Sequence, residues 1–200
     1  MLLAVVSGLL AGLSLIVAIG AQNAYVLRQG LARRHVGLVV TVCACSDAIL
    51  IMAGVAGLGA LIQHAPAVLT VVTYAGAAFL LGYGVLAARR AVRGERIEQT
   101  EDAGQGRWQT VLLTALALTW LNPHVYLDTV LLLGSMAAGH GEDRWWFALG
   151  AVLGSVLWFS ALGFGARLLV PLFRRRRSWQ VLDGIIAVVM VALAVQLLLA

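Results

Sequence analysis

No lysine occurs in the 200-residue chain; all 14 basic residues are arginine. A P-loop, whose lysine reaches nucleotide phosphates, is thereby excluded from this chain, as is Schiff-base lysine chemistry. Charge is scarce: 12% of residues are Asp, Glu, Lys or Arg, where a soluble domain carries about 25%. There are only three prolines and two cysteines. Cys43 and Cys45 stand two positions apart, so on a helix they point about 200° away from each other. That excludes a mutual disulfide and lacks the spacing of a redox or zinc motif. They read as small packing residues, and no metal or cofactor is expected.

What is abundant is apolar sequence. Hydrophobic residues make up 62% of the chain, and the mean hydropathy is +0.94. Neither a soluble globule nor a disordered chain has this composition. It reads as an all-α integral membrane protein. A span needs about 20 mostly apolar residues, and six segments qualify: Leu2–Leu27, Val36–Ile62, Ala67–Ala88, Thr110–Met136, Trp145–Val170 and Val181–Leu199. Barrel strands, at about 10 alternating residues, do not fit. The first segment lacks a basic leader and outruns a signal-peptide core, so it is expected to remain as a span. The connections are short, and the longest, Arg89–Trp108, is too small to be a domain. The expectation is one transmembrane domain over 1–200, with no enzyme and no nucleotide-driven motor within it.

The arginines decide what the net charge of +5 means. Arg28, Arg33 and Arg34 flank the first connection. Arg89, Arg90, Arg93, Arg96 and Arg107 flank the third, and Arg174 to Arg177 the fifth. The even connections hold only Arg144. The positive-inside rule then places the odd connections in the cytoplasm and both termini outside. The basic charge is a topology signal beside anionic headgroups, with no nucleic-acid partner implied. Trp108, Trp145, Trp146 and Trp179 sit at span ends, as an aromatic belt would. Small residues four apart (Gly8 and Gly12, Ala53 and Gly57, Gly150 and Gly154) permit close helix packing. That packing is expected within the chain, with a homo-oligomer as the other use of such stripes.

A weak internal repeat accompanies this pattern. Gly20 to Leu27 in the first span and Trp120 to Leu127 in the fourth each carry a polar break at an Asn, followed by Tyr, Val and Leu. The offset is about half the chain. Three spans per half would leave the halves inverted, with broken first and fourth helices. The first repeat would cover about 1–90, a cytoplasmic loop 91–108, and the second repeat 109–200.

Polar residues inside the spans are the candidates for chemistry. A carboxylate at mid-span costs about 2.5–3.5 kcal/mol on insertion scales and must face protein or water. Asp47 lies 11 residues into the second span, and its helical neighbours Cys43, Ala44, Leu50 and Ile51 cannot pair with it. Its partner is expected on another helix or in a ligand. In Asn122-Pro123-His124, Asn suits an N-cap and Pro the first helical position. A half-helix starting there would offer free N–H groups to a ligand carboxylate. Asn23 is expected to cap an equivalent half-helix nearer the cytoplasm, with Gln22 beside it. His124 and Asp128, four apart, share a face suited to a cation or an exchanging proton. Gln196 reads as an interhelical hydrogen bond and Asp183 as an interface residue.

Three stretches together resemble the LysE family of amino-acid exporters, nearest its lysine/arginine branch. They are Gly20-Ala21-Gln22-Asn23-Ala24-Tyr25-Val26-Leu27-Arg28-Gln29-Gly30, Ser46-Asp47 with its apolar run, and Trp120 through Asp128. The resemblance covers nearly the whole chain, and Asn122-Pro123-His124-Val125-Tyr126-Leu127-Asp128-Thr129 is its most specific element. It implies a multi-pass inner-membrane transporter that expels L-arginine, L-lysine or both from bacterial cytoplasm, with Asp47, Asn122 and Asp128 among its functional positions. The expected substrate-binding set is Asp47, Asn122, His124, Asp128, Asn23 and Gln22. Exchange for H⁺ or Na⁺ would drive it, with Asp47, Asp128 or His124 carrying the proton. An exporter of neutral amino acids or homoserine-type metabolites on the same fold is the alternative.

Overall fold

The structure, a computed structural model, describes residues 1–17, 20–59, 66–93 and 108–199. Expectations for 18–19, 60–65 and 94–107, Arg96 and Arg107 included, lie outside the described residues. Among the described residues every regular element is helical. We number them α1 (Leu2–Ile16), α2 (Ala21–Ala32), α3 (Val36–Ala53), α4 (Pro66–Arg93), α5 (Trp108–Trp120), α6 (Pro123–Ala138), α7 (Arg144–Gly165) and α8 (Arg176–Leu199). A π-helical turn, Gly54–Leu58, prolongs α3, and a 3₁₀ stretch, Ala166–Arg174, prolongs α7. Four helices are long and apolar enough to cross a membrane by themselves. The pairs α1/α2 and α5/α6 bend by 84° and 59°, and counting each as one broken span gives six.

Length explains the breaks. At 1.5 Å per residue, α1 and α5 run only about 20 Å, short of the roughly 30 Å hydrocarbon core. Each therefore stops inside the membrane, where its last carbonyls need partners. The protein supplies them from just beyond each break. Asn23 Nδ2 donates to the Ile16 carbonyl at 2.7 Å, and the Tyr126 hydroxyl donates to the Trp120 carbonyl at 2.8 Å. The second break is capped as the sequence suggests: Asn122 Oδ1 accepts from the His124 N–H at 3.1 Å, with Pro123 at the first helical position. The first is not. Its N-cap is Gly20, and Asn23 sits inside the first turn of α2, tied back to α1. An extended-backbone glycine already frees the helix N–H groups, so Asn23 is released to serve the preceding helix.

The helices meet through small residues, because in lipid close packing rather than apolar burial holds them together. A Cβ on Gly8 would overlap the Phe147 carbonyl, and one on Gly150 would overlap the Val5 carbonyl, so α1 and α7 approach backbone to backbone. Gly12 and Gly154 extend that seam within the chain. The expected Ala53–Gly57 pair does not form it. Gly54 packs instead, 2.7 Å in projected Cβ distance from the Val130 carbonyl, while Gly57 takes a left-handed φ of +95° in the π-turn with open space around it. The main helix pairings are α4 on α8, α1 on α7, α3 on α7, α2 on α7 and α5 on α3. Leu2, Leu10, Ile49, Val71 and Val188 point outward, as a lipid-facing surface requires. Trp108, Trp145 and Trp146 are exposed at helix ends, whereas Trp179 turns inward and donates to the Phe173 carbonyl.

Candidate functional site

Both breaks open onto one cavity of about 210 Å³. Its wall includes Gly20, Gln22 and Asn23 from the first break, Asn122, His124, Asp128 and Thr129 from the second, Asp47 from α3, and Gln196 from α8. All six residues expected to bind substrate therefore face one space. The first break, expected nearer the cytoplasmic side, shares this cavity with the second. Ligand pockets for drug-sized molecules run to about 300–1,000 Å³; this one suits something nearer a single amino acid.

Asp47 is 3% exposed. Its Oδ2 accepts a hydrogen bond from the Ser155 hydroxyl of α7 at 2.8 Å, so its protein partner does lie on another helix. Neutral donors such as Ser155 and the neighbouring Gln22 do not neutralise a carboxylate, which leaves Asp47 able to take a cation from the cavity. Next to it, Ser46 accepts from Trp120 Nε1 at 3.1 Å, tying α3 to the end of α5. A matching tie holds the first break, where Trp158 Nε1 donates to Asn23 Oδ1 at 3.2 Å.

Asp128 and Thr129 lie in a π-helical segment, Tyr126–Leu132, that follows the second break. Thr129 turns its hydroxyl back to the Val125 carbonyl at 2.5 Å, meeting a polar group that the loosened helix exposes. No hydrogen bond joins His124 to Asp128 among the described residues. Instead His124 Nε2 and Gln22 Nε2 are buried without a hydrogen-bond partner among the described residues. Buried polar atoms are normally paired; Gln22 has the Asp47 carboxylate and the Cys43 thiol beside it, so His124 Nε2 is the atom with no protein partner at hand. Cys43 is fully buried beside Gln22 and Asp47, and Cys45 is exposed. Cys43 thus packs within the chain, as expected, whereas Cys45 does not.

Asp183, expected as an interface residue, is instead buried. It is 1% exposed, and its Oδ1 accepts from Arg28 Nε at 2.9 Å and from Arg90 Nε at 3.2 Å. Two arginines read as topology signals are thus also ligands of a buried carboxylate. The available signal was position: all three residues fall at ends of spans that border arginine-rich connections. Arg176 adds a hydrogen bond to the Arg93 carbonyl on the same face.

Comparison with known proteins adds the following. A family profile described as LysE type translocator matches residues 13–200. A protein of Mycobacterium tuberculosis, named as a candidate amino-acid transporter, is 46% identical over 186 residues, covering 93% of this chain and 92% of its own. The arginine exporter protein ArgO of Yersinia enterocolitica is 44% identical over 199 residues, 98% of this chain and 97% of its own. That of an Enterobacter species is 43% identical over 193 residues, 95% and 90%. No solved structure gives a significant match.

Proposed function

Because the chain belongs to the LysE type translocator family, we propose that it exports basic amino acids, L-arginine, L-lysine or both, from the bacterial cytoplasm. The family's activity is transport rather than catalysis, and its setting is the bacterial inner membrane, which this chain crosses several times. Amino-acid export follows from the relatives. The basic substrate rests on one observation: Asp47, Asp128 and the half-helix capped by Asn122 line the same small cavity.

In this reading the substrate's guanidinium or ammonium pairs with Asp47, with Asp128 completing the anionic side. Its α-carboxylate meets the N-terminus of α6, where unpaired N–H groups and the helix dipole favour an anion. His124, with its unpartnered buried Nε2, and Gln22 supply the remaining polar contacts, and Asn23 holds the first break in shape. Release follows rocking of one three-helix half against the other. The pairing of α1 on α7 and of α5 on α3 supports such an inverted arrangement, since it is preserved when the halves are exchanged.

Export of a cation opposes a negative-inside potential by about 2.3 kcal/mol per charge at 100 mV. Export without a steep outward gradient therefore needs coupling, and exchange for H⁺ or Na⁺ meets that need. Asp47, Asp128 or His124 would carry the proton. The test is counterflow in proteoliposomes loaded with unlabelled L-arginine, with labelled L-arginine outside. Unlabelled L-arginine and L-lysine are expected to compete and L-leucine and L-homoserine to have little effect. Equal competition by the neutral compounds would replace this reading with the neutral-substrate one.

A further inference from the structure

At the arginine-rich face the protein already holds guanidinium groups on a buried carboxylate. Asp183 of α8 is the shared acceptor for Arg28 of α2 and Arg90 of α4, whose side chains are only 11% and 21% exposed. The Arg90 guanidinium also lies over the Tyr83 ring, 5.4 Å from its centroid. Its Nη2 is buried with no hydrogen-bond partner among the described residues. Tyr25 stands edge-on to Tyr83 at 6.0 Å. A carboxylate beside an aromatic face is the chemistry that recognises a guanidinium, whatever molecule carries it.

This cluster and the cavity occupy different depths. Asp183 and Gln196 lie 13 residues apart on α8, about 20 Å along its axis, and Gln196 lines the cavity. On α2, Tyr25 sits one turn beyond the cavity-lining Ala21 and one turn short of Arg28. The two tyrosines and the ion cluster therefore lie between the cavity and the face that the arginines mark as cytoplasmic. The cluster joins three elements, α2, α4 and α8.

We propose that Asp183 is the cytoplasmic entry site for the substrate's cationic side chain. The incoming guanidinium or ammonium replaces that of Arg28 or Arg90, and this exchange parts the elements the cluster holds. The proposal rests on the basic-substrate reading above. Two features make the exchange feasible. Asp183 has two cationic partners, so losing one leaves the carboxylate paired rather than stripped. The substrate brings the same chemical group that it displaces. Only a ligand with different affinity for the closed and open states can shift them, and a neutral amino acid brings no cationic side chain to this carboxylate, only an α-ammonium beside its own carboxylate.

The experiment compares labelled L-arginine uptake into arginine-loaded membrane vesicles of both orientations. In inverted vesicles, with the cytoplasmic face outward, Asp183→Asn is expected to raise KM roughly tenfold or more, the loss typical of a charged hydrogen bond. In right-side-out vesicles KM should change severalfold less than in inverted ones, and Asp183→Glu should recover part of the inverted-vesicle loss. A merely structural carboxylate would move both faces alike. Equal changes at the two faces, or a wild-type KM in inverted vesicles, would overturn the proposal. If Asp183→Asn does not reach the membrane, Arg28→Gln decides. Removing one competing guanidinium should lower the cytoplasmic-face KM, and an unchanged or higher value overturns the proposal. A wild-type protein that transports no L-arginine from either face would sink the basic-substrate reading itself.

Discussion

Replacing Asp47 by Asn removes a charge and little else. The amide oxygen can still accept from the Ser155 hydroxyl that now bonds Asp47 Oδ2 at 2.8 Å, and the side chain keeps its size. The substitution also relieves the insertion cost of a mid-span carboxylate, about 2.5–3.5 kcal/mol. Membrane levels and thermal stability in detergent should therefore match or exceed the wild type. Transport should not. A hydrogen bond or ion pair to a charged group in a desolvated site is worth about 1.5–3 kcal/mol, or about 10- to 150-fold in affinity. Asp128 shares the cavity and would retain part of the cation's attraction, which favours the lower end of that range. The assay is L-arginine counterflow at matched protein levels, read as kcat/KM. Ser155→Ala is the companion variant. It leaves the charge and removes one neutral hydrogen bond, so its loss should be less than about tenfold. If Asp47→Asn retained wild-type kcat/KM for L-arginine, the assignment of the cation to this carboxylate would be wrong.

Further predictions follow from other parts of the cavity and its frame. Asn122→Ala should cost about 1 kcal/mol of stability through the lost cap. Asn122→Asp should keep the cap and the stability, yet weaken L-arginine binding by placing an anion where the carboxylate docks; thermal melts and counterflow separate the two. Gly8→Val must push α1 off α7, because its Cβ meets the Phe147 carbonyl, and should destabilise by about 1–3 kcal/mol or more. Gly82→Ala, with nothing within 4 Å of its projected Cβ, should be neutral or better in the same melt. The double variant Cys43→Ala/Cys45→Ala should keep transporting, with at most a small melting shift from the buried Cys43 position. Loss of transport with normal stability would revive a thiol role.

The broad frame was legible because lipid makes a simple demand. Apolar segments of about 20 residues stand out by length alone, and polar residues within them are rare enough to count. Asp47, Asn122, His124 and Asp128 could be picked out for that reason, and the Asn-Pro pair announced its break. What stayed hidden depends on which helices touch. Ser155 is an ordinary serine until α7 brings it to Asp47. Asn23 looked like a cap because Asn caps well in isolation, but Gly20 already supplied the extended residue, and Ile16 had the unmet carbonyl. Gly54 rather than Gly57 carries the α3–α6 contact because Gly54 continues the buried face of Asp47, Leu50 and Ile51 by one turn, while the π-turn leaves Gly57 in open space. Asp183 was discounted for lying near a span end. Its burial comes from two arginines on other helices, which net charge and loop counts treat only as labels.

The central claim, that this cavity selects a cationic amino acid through Asp47, is tested most directly by equilibrium binding to the purified protein. L-citrulline has nearly the shape of L-arginine but no side-chain charge. Labelled L-arginine should bind the wild type at least about tenfold more tightly than L-citrulline, and Asp47→Asn should erase most of that difference. Equal affinity of the wild type for the two compounds, or a preference that survives Asp47→Asn intact, would contradict the account.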